Sequence, residues 1–213
     1  MTESDYNAFV KKLDPLIARG DYKSALAITR SALKHEPDDF FVRYQYAKML
    51  GDWSDELSPA RQKKLKAKAV SILRPLMRSL RGKPHAIRFR LPLNLYYQSQ
   101  DWKGMYAFGC RFSRTDRQKG LYAQGLAATS LASDYRDQQN SLKSLSWAER
   151  AVGAWKAYDF ADEKYYFPHY CFAKALALTG TPKTALSRLK IAARLSQRKT
   201  SDWEFADVLR LCS

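Results

Sequence analysis

Residues 20–37, GDYKSALAITRSALKHEP, have a counterpart near the other end of the chain in residues 180–197, GTPKTALSRLKIAARLSQ. A glycine and two alanines coincide when the two stretches are aligned, the pairs being Gly20 with Gly180, Ala25 with Ala185, and Ala32 with Ala192. Small residues at fixed distances after a glycine are typical of repeated helical hairpins, in which each unit buries its apolar face against its neighbours. The repeat therefore predicts a stack of hairpins, which serves as a surface that holds another molecule.

Composition also favours helices over strands. The 213 residues include 9 Gly and 8 Pro, and few stretches alternate apolar with polar residues as a half-buried strand does. The first hairpin is predicted to have helices at about residues 5–19 and 23–35, joined by a turn at Gly20-Asp21. Pro37 ends this unit, because proline cannot continue a helix and restricts the residue before it. The predicted fold class is all-α.

The first hairpin resembles a known repeat. The residues that fit the pattern of the tetratricopeptide repeat (TPR), a helix-turn-helix unit of about 34 residues, are Gly20-Asp21-Tyr22, Ala25, Ala32 and Pro37. Thr29 departs from that pattern, in which an apolar residue stands at this point. The resemblance implies a single domain over residues 1–213. It would be a right-handed superhelix, or solenoid, of about five TPR-like hairpins with a C-terminal capping helix.

Degenerate copies of this unit cover almost the whole chain. The predicted hairpins span about residues 6–39, 40–84, 86–116, 119–153 and 166–199, and the capping helix spans about 201–211. The turns of the second and fourth units are expected to be expanded, because in the second the helical spacing resumes about ten residues late. Ser201-Asp202-Trp203-Glu204 has the capping-box pattern that opens a short helix, which would shield the core of the last hairpin.

The positive charge of the chain is concentrated in its middle third. The whole sequence has 37 Lys and Arg against 21 Asp and Glu, a net charge of +16. Residues 57–119 contribute 16 basic and 2 acidic side chains, a net charge of +14, and no acid lies between Glu56 and Asp101. A positive field of this kind attracts phosphate, acidic protein segments or anionic lipid, and added salt weakens it.

A helix that begins at Ser58-Pro59 separates much of this charge from an apolar face. Serine at the N-cap and proline at the first helical position are favourable start signals, whereas Pro75 is expected to kink or break the helix. Apolar residues fall within an arc of roughly 100°, namely Leu65, Ala69, Ile72, Leu73, Leu76 and Leu80. The other side carries a basic ridge, which consists of Lys63, Lys64, Arg74, Arg78 and Arg81. Two interpretations remain for this ridge, a solvated outer face or a surface that binds anions.

The TPR resemblance also implies a concave groove lined by the first helix of each hairpin. Carried over to this chain, the predicted groove residues are Tyr44, Lys48, Arg90, Asn94, Tyr97, Tyr170 and Lys174. Arginine and tyrosine are effective interface anchors, and asparagine can bind a peptide backbone. The lysine and asparagine with which some TPR proteins bind a terminal carboxylate are replaced in the first unit by Val10 and Asp14. A space-filling role between helices is the other interpretation of these positions.

The sequence has no motif typical of catalysis or metal binding. It lacks the G-x-S-x-G nucleophile turn, the phosphate-binding loop and the dinucleotide-binding loop. Its cysteines and histidines have no metal-ligand spacing, and they are Cys110, Cys171, Cys212, His35, His85 and His169. We therefore predict no catalytic residue, no cofactor and no metal.

One segment mixes arginines with aromatic residues in the way that nucleic-acid-binding surfaces do. Residues 88–102, RFRLPLNLYYQSQDW, offer both phosphate contact and base stacking. Phe89, Leu93 and Tyr96 are better explained as core, because they follow each other at steps of four and three residues. No RNA-binding fingerprint accompanies them.

The function predicted from the sequence is that of a non-catalytic TPR-like adaptor or scaffold. It would bind another protein or peptide through the concave groove and the basic middle region, and the charge favours an acidic partner. The alternative is binding of RNA or another polyanion through the basic region 61–119, and an enzyme is kept as a third class. The segment MTESDYNAF has no secretory signal pattern, and no apolar run approaches the ~18–20 residues of a membrane span. A cytoplasmic protein with reduced cysteines is expected.

Overall fold

The structure, a computed structural model, describes residues 3–54, 57–161, 163–197 and 205–213. Within those residues the chain forms eleven α-helices, one short 3-10 helix and no strand. The helices are α1 (Glu3–Ala18), α2 (Tyr22–His35), α3 (Phe40–Ser54), α4 (Pro59–Leu76), α5 (His85–Ser99), α6 (Trp102–Phe112), α7 (Arg117–Asp137), α8 (Ser141–Ala157), α9 (Tyr166–Leu178), α10 (Pro182–Leu195) and α11 (Ala206–Cys212), with the 3-10 helix at Met77–Ser79. The all-α prediction is confirmed.

The chain divides into two compact units, Met1–Asp101 and Trp102–Ser213. The first unit contains α1 to α5, and the second contains α6 to α11. Within each unit most contacts join helices that are neighbours in the sequence, so the helices pack as sequential hairpins. Helices two apart also touch, α3 with α5 in the first unit and α9 with both α7 and α11 in the second. This pattern of contacts is consistent with a helical array.

The repeated stretch of the sequence forms the same turn in both units. Gly20 and Gly180 have positive φ angles of 73° and 72°. The residues that follow, Asp21 and Thr181, each donate the backbone N–H to a carbonyl five residues earlier, at 2.8 and 3.1 Å. A left-handed residue that satisfies the last carbonyls of a helix in this way is usually glycine, because glycine has no Cβ to clash. The glycine match in the sequence therefore reports a shared turn geometry.

Two further turns adopt this geometry without a glycine. Gln100 and Gln139 have φ angles of 55° and 59°, and the residues after them, Asp101 and Asn140, donate to carbonyls five residues earlier at 3.0 and 2.8 Å. A left-handed conformation costs a residue with a side chain roughly 1–2 kcal/mol. Packing of the flanking helices overrides that preference here, so the sequence carries no glycine signal at these two turns.

The expected expansion of two turns was wrong. In the fourth predicted hairpin the turn between α7 and α8 comprises only residues 138–140, and the additional residues lengthen α7 to 21 residues. In the second predicted hairpin, α3 ends at Ser54 and α4 begins at Pro59, so its additional residues lie mainly in helix as well. A helix absorbs inserted residues readily when each added turn repeats the same buried stripe.

Small residues lie where helices cross, as the repeat predicts. Ala25 in α2 and Ala185 in α10 are fully buried. Thr29, the departure from the TPR pattern, is also fully buried, and its hydroxyl donates to the carbonyl oxygens of Ala25 and Leu26 at 3.1 Å. Because its polar atom is satisfied within its own helix, Thr29 can occupy an apolar position.

The core of the first unit consists of two apolar clusters. One joins α1, α3, α4 and α5 around Tyr44, Leu73 and Leu91, and the other joins α1 to α4 around Leu13 and Met49. The apolar face predicted for α4 is confirmed, since Ala69, Leu73 and Leu76 are buried and Leu65, Ile72 and Leu80 pack against the clusters. Because this face of α4 is buried, the charged side chains of the helix point outward.

In the second unit, the backbone of α7 at Gly125 lies close to the ring of Trp155 in α8. Trp155 is 1 % exposed, and its indole Nε1 donates to the hydroxyl oxygen of Thr129 at 3.1 Å. A Cβ placed on Gly125 would lie 2.5 Å from Cε2 of this indole. Gly125 is therefore required by space rather than by backbone conformation.

The final helix α11 packs against α9 and α10. Phe205 and Val208 are fully buried there, as expected of an end helix that shields the last hairpin. The capping-box pattern predicted at residues 201–204 lies outside the described residues.

Candidate functional site

Helix α4 presents a cationic outer surface. Its 18 residues include six Lys or Arg and no Asp or Glu. Ser58 precedes Pro59, whose fixed φ suits the first helical turn, although the serine side chain makes no capping hydrogen bond. Ala69 and Leu73 face the core, so the charged side chains are left on the solvent side. The five residues of the predicted basic ridge are all exposed, and they are Lys63, Lys64, Arg74, Arg78 and Arg81.

Two shallow depressions run along this outer surface and share Ala67 and Val70. The first, of about 400 Å³, lies between α4 and the end of α5, and Gln98 closes one side of it. The second, of about 410 Å³, continues along α4 to the 3-10 helix. We call the combined surface the α4 groove, defined by Lys63, Lys66, Ala67, Val70, Arg74 and Arg78.

The α4 groove divides the predicted basic ridge into two sets. Lys63, Arg74 and Arg78 line the depressions, whereas Lys64 and Arg81 do not. Successive residues of a helix point about 100° apart, so Lys64 projects to a different side from Lys63. Lys66, which is not part of the predicted ridge, also lines the first depression. The three-residue step from Lys63 would have found it, because such neighbours share a helix face.

Pro75 shapes the second depression. Helix α4 ends one residue later at Leu76, and the chain continues as the 3-10 helix, as expected for a proline that breaks an α-helix. Because proline has no backbone N–H, the carbonyl of Ser71 lacks the usual donor four residues later. Ser71 and Pro75 both line the depression. The end of the α-helix therefore lies among the cations of the α4 groove.

Gln98 and Gly51 bring α5 close to α3 beside the first depression. A Cβ on Gly51 would lie 2.2 Å from the side-chain Nε2 of Gln98, so the amide of Gln98 would have to move if residue 51 carried a side chain. Gln98 is 6 % exposed, and its Oε1 is buried without a hydrogen-bond partner among the described residues. The wall of the first depression is therefore a buried amide held by a close backbone contact.

Five of the predicted concave-groove residues lie in the first unit. Tyr44 is 1 % exposed, and its hydroxyl oxygen accepts a hydrogen bond from Nδ2 of Asn94 at 2.8 Å. Burial raises the pKa of Tyr44 far above its ordinary value, so the hydroxyl stays protonated. Arg90 is exposed one helical turn before Asn94 on α5. The buried Tyr44 thus orients Asn94 rather than meeting solvent itself.

The other two residues of this set in the first unit also have partners. Nζ of Lys48 forms an ion pair with Oδ2 of Asp52 at 2.6 Å on the same helix. The ring of Tyr97 lies under the amino group of Lys66, with 5.7 Å between Nζ and the ring centroid. Tyr97 therefore touches a residue of the α4 groove, whereas Asp52 compensates the charge of Lys48.

Tyr170 and Lys174 lie in the second unit and converge on Asp207 of α11. The Tyr170 hydroxyl donates to Oδ2 of Asp207 at 2.8 Å, and Nζ of Lys174 lies 2.8 Å from the same oxygen. Burial, followed by the charge of Asp207, raises the pKa of Tyr170 well above its usual range. A cavity of about 460 Å³ opens beside this cluster, and its lining includes Arg136 and Arg210. The two predicted residues thus tie α9 to α11 at the edge of a polar cavity.

His169 makes a structural contact with Arg188 in the second unit. The Arg188 guanidinium contacts both Phe160 and Phe172, 4.7 and 4.9 Å from their ring centroids, and its Nη1 lies 3.2 Å from Nδ1 of His169. Arginine only donates, so His169 must accept through Nδ1 and be neutral. Burial, followed by the positive charge of Arg188, lowers the pKa of His169. This arrangement holds the imidazole within an aromatic cluster.

Within the described residues, no three His, Cys, Asp or Glu side chains are grouped closely enough to hold a metal ion. Among the helices that the structure describes, none is both long enough and apolar enough to cross a membrane. Comparison of the chain with models of known protein families gives no match, and comparison with curated protein sequences also gives none.

Proposed function

We propose that this protein is a non-catalytic adaptor that binds an acidic partner protein through the basic surface of its first unit. The observation that carries the proposal is the composition of α4, which has six cations and no carboxylate. A patch of one sign attracts oppositely charged partners and speeds their association. The partner's binding is thus expected to weaken as salt is added.

The proposal includes a fold of TPR-like hairpins wound into a right-handed solenoid. Its support is the left-handed turn that recurs at Gly20, Gln100, Gln139 and Gly180, together with contacts between helices two apart. Repeat folds of this kind function as extended binding surfaces. Arg90, Asn94 and Tyr97 on α5 and the Tyr170–Lys174–Asp207 cluster are proposed as further contact points within their own units.

A non-catalytic role is favoured by the environments of the reactive side chains. Burial raises the pKa of the Cys171 thiol to about 12, which leaves it a poor nucleophile. His169 accepts a hydrogen bond from Arg188, so its Nδ1 is occupied. These two groups are the buried cysteine and histidine of the second unit that a catalytic site would otherwise recruit.

RNA or another polyanion is the second candidate partner, and residues 57–119 favour it with their net charge of +14. Phosphate contacts release counterions, so the affinity for a single strand would fall steeply as salt is added. The logarithm of the binding constant is expected to change with the logarithm of the salt concentration by a slope of about −0.7 for each phosphate contact. The two candidates predict different responses to nuclease.

Affinity capture from lysate with and without nuclease tests the proposal. The bait carries three charge reversals in the α4 groove, namely Lys63→Glu, Arg74→Glu and Arg78→Glu. A matched control has the same change in net charge outside the groove, through Arg61→Glu, Lys64→Glu and Arg81→Glu. We expect protein partners that survive nuclease, are lost with the groove variant and are retained by the control. Partners lost on nuclease treatment would support the polyanion candidate, and equal loss with both variants would refute a defined surface.

A further inference from the structure

The floor of the α4 groove is apolar. Ala67 is exposed and Val70 is half-buried, and both line each of the two depressions. Cations flank this floor along the same helix, with Lys63 before it and Arg74 after it. A ligand that carries only charge would leave Val70 in water, whereas an apolar side chain of a ligand would remove that surface from water. The surface therefore offers two kinds of contact side by side.

The lining favours a polypeptide over a nucleic acid. None of the described residues that line the two depressions is aromatic. Proteins that hold single-stranded nucleic acids stack bases on aromatic side chains beside a basic track, and the ring of Tyr97, which lies under Lys66, is not among the lining residues. Phosphate contacts would use the cations but not the apolar floor. A short peptide segment supplies carboxylates and apolar side chains together, and so complements both.

The length of the groove sets the size of the segment. Lys63 and Arg78 are 15 residues apart, a distance of about 22 Å at about 1.5 Å per helical residue. An extended peptide covers that distance with about seven residues at about 3.3 Å each.

We propose that the α4 groove binds a short acidic segment of a partner protein that seats apolar side chains over Ala67 and Val70. Carboxylates on either side of those side chains then meet Lys63, Arg74 and Arg78. The inference rests on the proposed adaptor function, and it adds the chemistry of the segment that the partner contributes.

The first experiment selects ligands with the full-length protein. Random peptides displayed on phage are selected on the wild-type chain and depleted on the Lys63→Glu, Arg74→Glu, Arg78→Glu variant. We expect the selected peptides to be enriched in Asp and Glu together with Leu, Ile, Val or Phe. Failure to select any peptide, or selection of peptides that bind the variant equally well, would overturn the inference.

The second experiment measures the two kinds of contact separately. A fluorescently labelled selected peptide is titrated by anisotropy, and Val70→Ser is expected to weaken it about tenfold, because burial of one valine contributes about that factor. Leu142→Ser is the matched control, since Leu142 is 85 % exposed on α8 in the second unit. The groove charge reversals are expected to weaken the peptide at least tenfold, and the matched charge control is expected to leave its affinity unchanged. Circular dichroism of each variant checks that its helices are intact.

Two outcomes separate this inference from the function on which it rests. If Val70→Ser leaves the affinity unchanged while the charge reversals abolish binding, the apolar contact is refuted and the acidic-partner adaptor stands. If labelled poly(U) binds at least as tightly as the best peptide and shows the same dependence on the charge reversals, the surface is assigned to nucleic acid. That result would overturn both the inference and the proposed function.

Discussion

Replacing Gly125 by alanine should destabilise the second unit, although alanine is the better helix former. The new Cβ would lie 2.5 Å from Cε2 and 2.7 Å from Cδ2 of Trp155, atoms of a rigid ring that is only 1 % exposed. Such overpacking costs roughly 1–3 kcal/mol. Movement of the ring also breaks the bond from its Nε1 to Thr129, at about 1 kcal/mol. The gain in helix propensity of about 1 kcal/mol offsets part of this. The net loss is about 1–3 kcal/mol.

Gly153→Ala is the matched control on the neighbouring helix. Gly153 is exposed within α8, and a Cβ added there would meet no atom within 4 Å. The same substitution should therefore stabilise the protein by about 0.5–1 kcal/mol, because only the propensity and the chain entropy change. Two glycine-to-alanine changes in one unit are thus expected to have opposite signs.

Urea denaturation followed by far-ultraviolet circular dichroism measures both variants. The midpoint should fall for Gly125→Ala and rise for Gly153→Ala, with an unchanged dependence on urea concentration. A Gly125→Ala variant as stable as the wild type would show that α7 and α8 do not cross with the indole against this backbone. A destabilised Gly153→Ala variant would show that the outer face of α8 is not open to solvent.

Three further predictions follow from particular contacts. Ala185→Leu should lower stability by roughly 1–3 kcal/mol in thermal or urea melts, since the alanine is fully buried where α9 and α10 meet, and an unchanged midpoint would contradict this packing. Tyr44→Phe should cost about 1 kcal/mol, because it leaves the Nδ2 group of Asn94 without the acceptor it has at 2.8 Å, and a neutral effect would show that this bond contributes nothing. The third prediction concerns pH. Burial, and to a smaller extent the positive charge of Arg188, lowers the pKa of His169 from its ordinary 6.5, so the folded protein favours the neutral imidazole. Stability from this residue is complete above about pH 6.5 and is lost as the pH falls through the lowered folded pKa. Urea midpoints at about pH 7.5 and 5.5 should thus differ more in the wild type than in His169→Gln, and equal differences would refute the assignment.

The helices could be predicted from the sequence because their signals are local. Apolar spacing placed the core face of α4, and Pro59 marked its start. Glycine marked the left-handed turns at Gly20 and Gly180. At Gln139 the packing of the helices imposes the left-handed turn without a glycine, so the sequence carries no turn signal there. An expanded turn was therefore expected where the structure has a short one. Local patterns therefore found helices reliably and turns only where glycine was used.

The candidate site was predictable only in part. The cations of α4 were visible in the sequence, and helical spacing alone assigns Lys63 and Lys64 to different faces. The first depression depends on the end of α5 with Gln98, which lies about 30 residues further along the chain, so no local pattern could reveal it. No sequence pattern singles out Val70, because its proposed role depends on the cations that lie around it in the folded protein.

Taken by itself, the sequence determined the helical class, the hairpin order and the cationic character of α4, because propensity, spacing and charge act over a few neighbouring residues. Tertiary structure alone decided which side chains are exposed. Helix α3 has buried residues on all sides, including Tyr44, Gln45, Tyr46 and Ala47, so periodicity could not tell whether Tyr44 faces a groove or the core. Likewise, the pairing of Lys174 with Asp207 joins residues far apart in the chain. Burial and long-range pairing depend on how helices pack, and packing is a property of the whole assembly of helices rather than of any one segment.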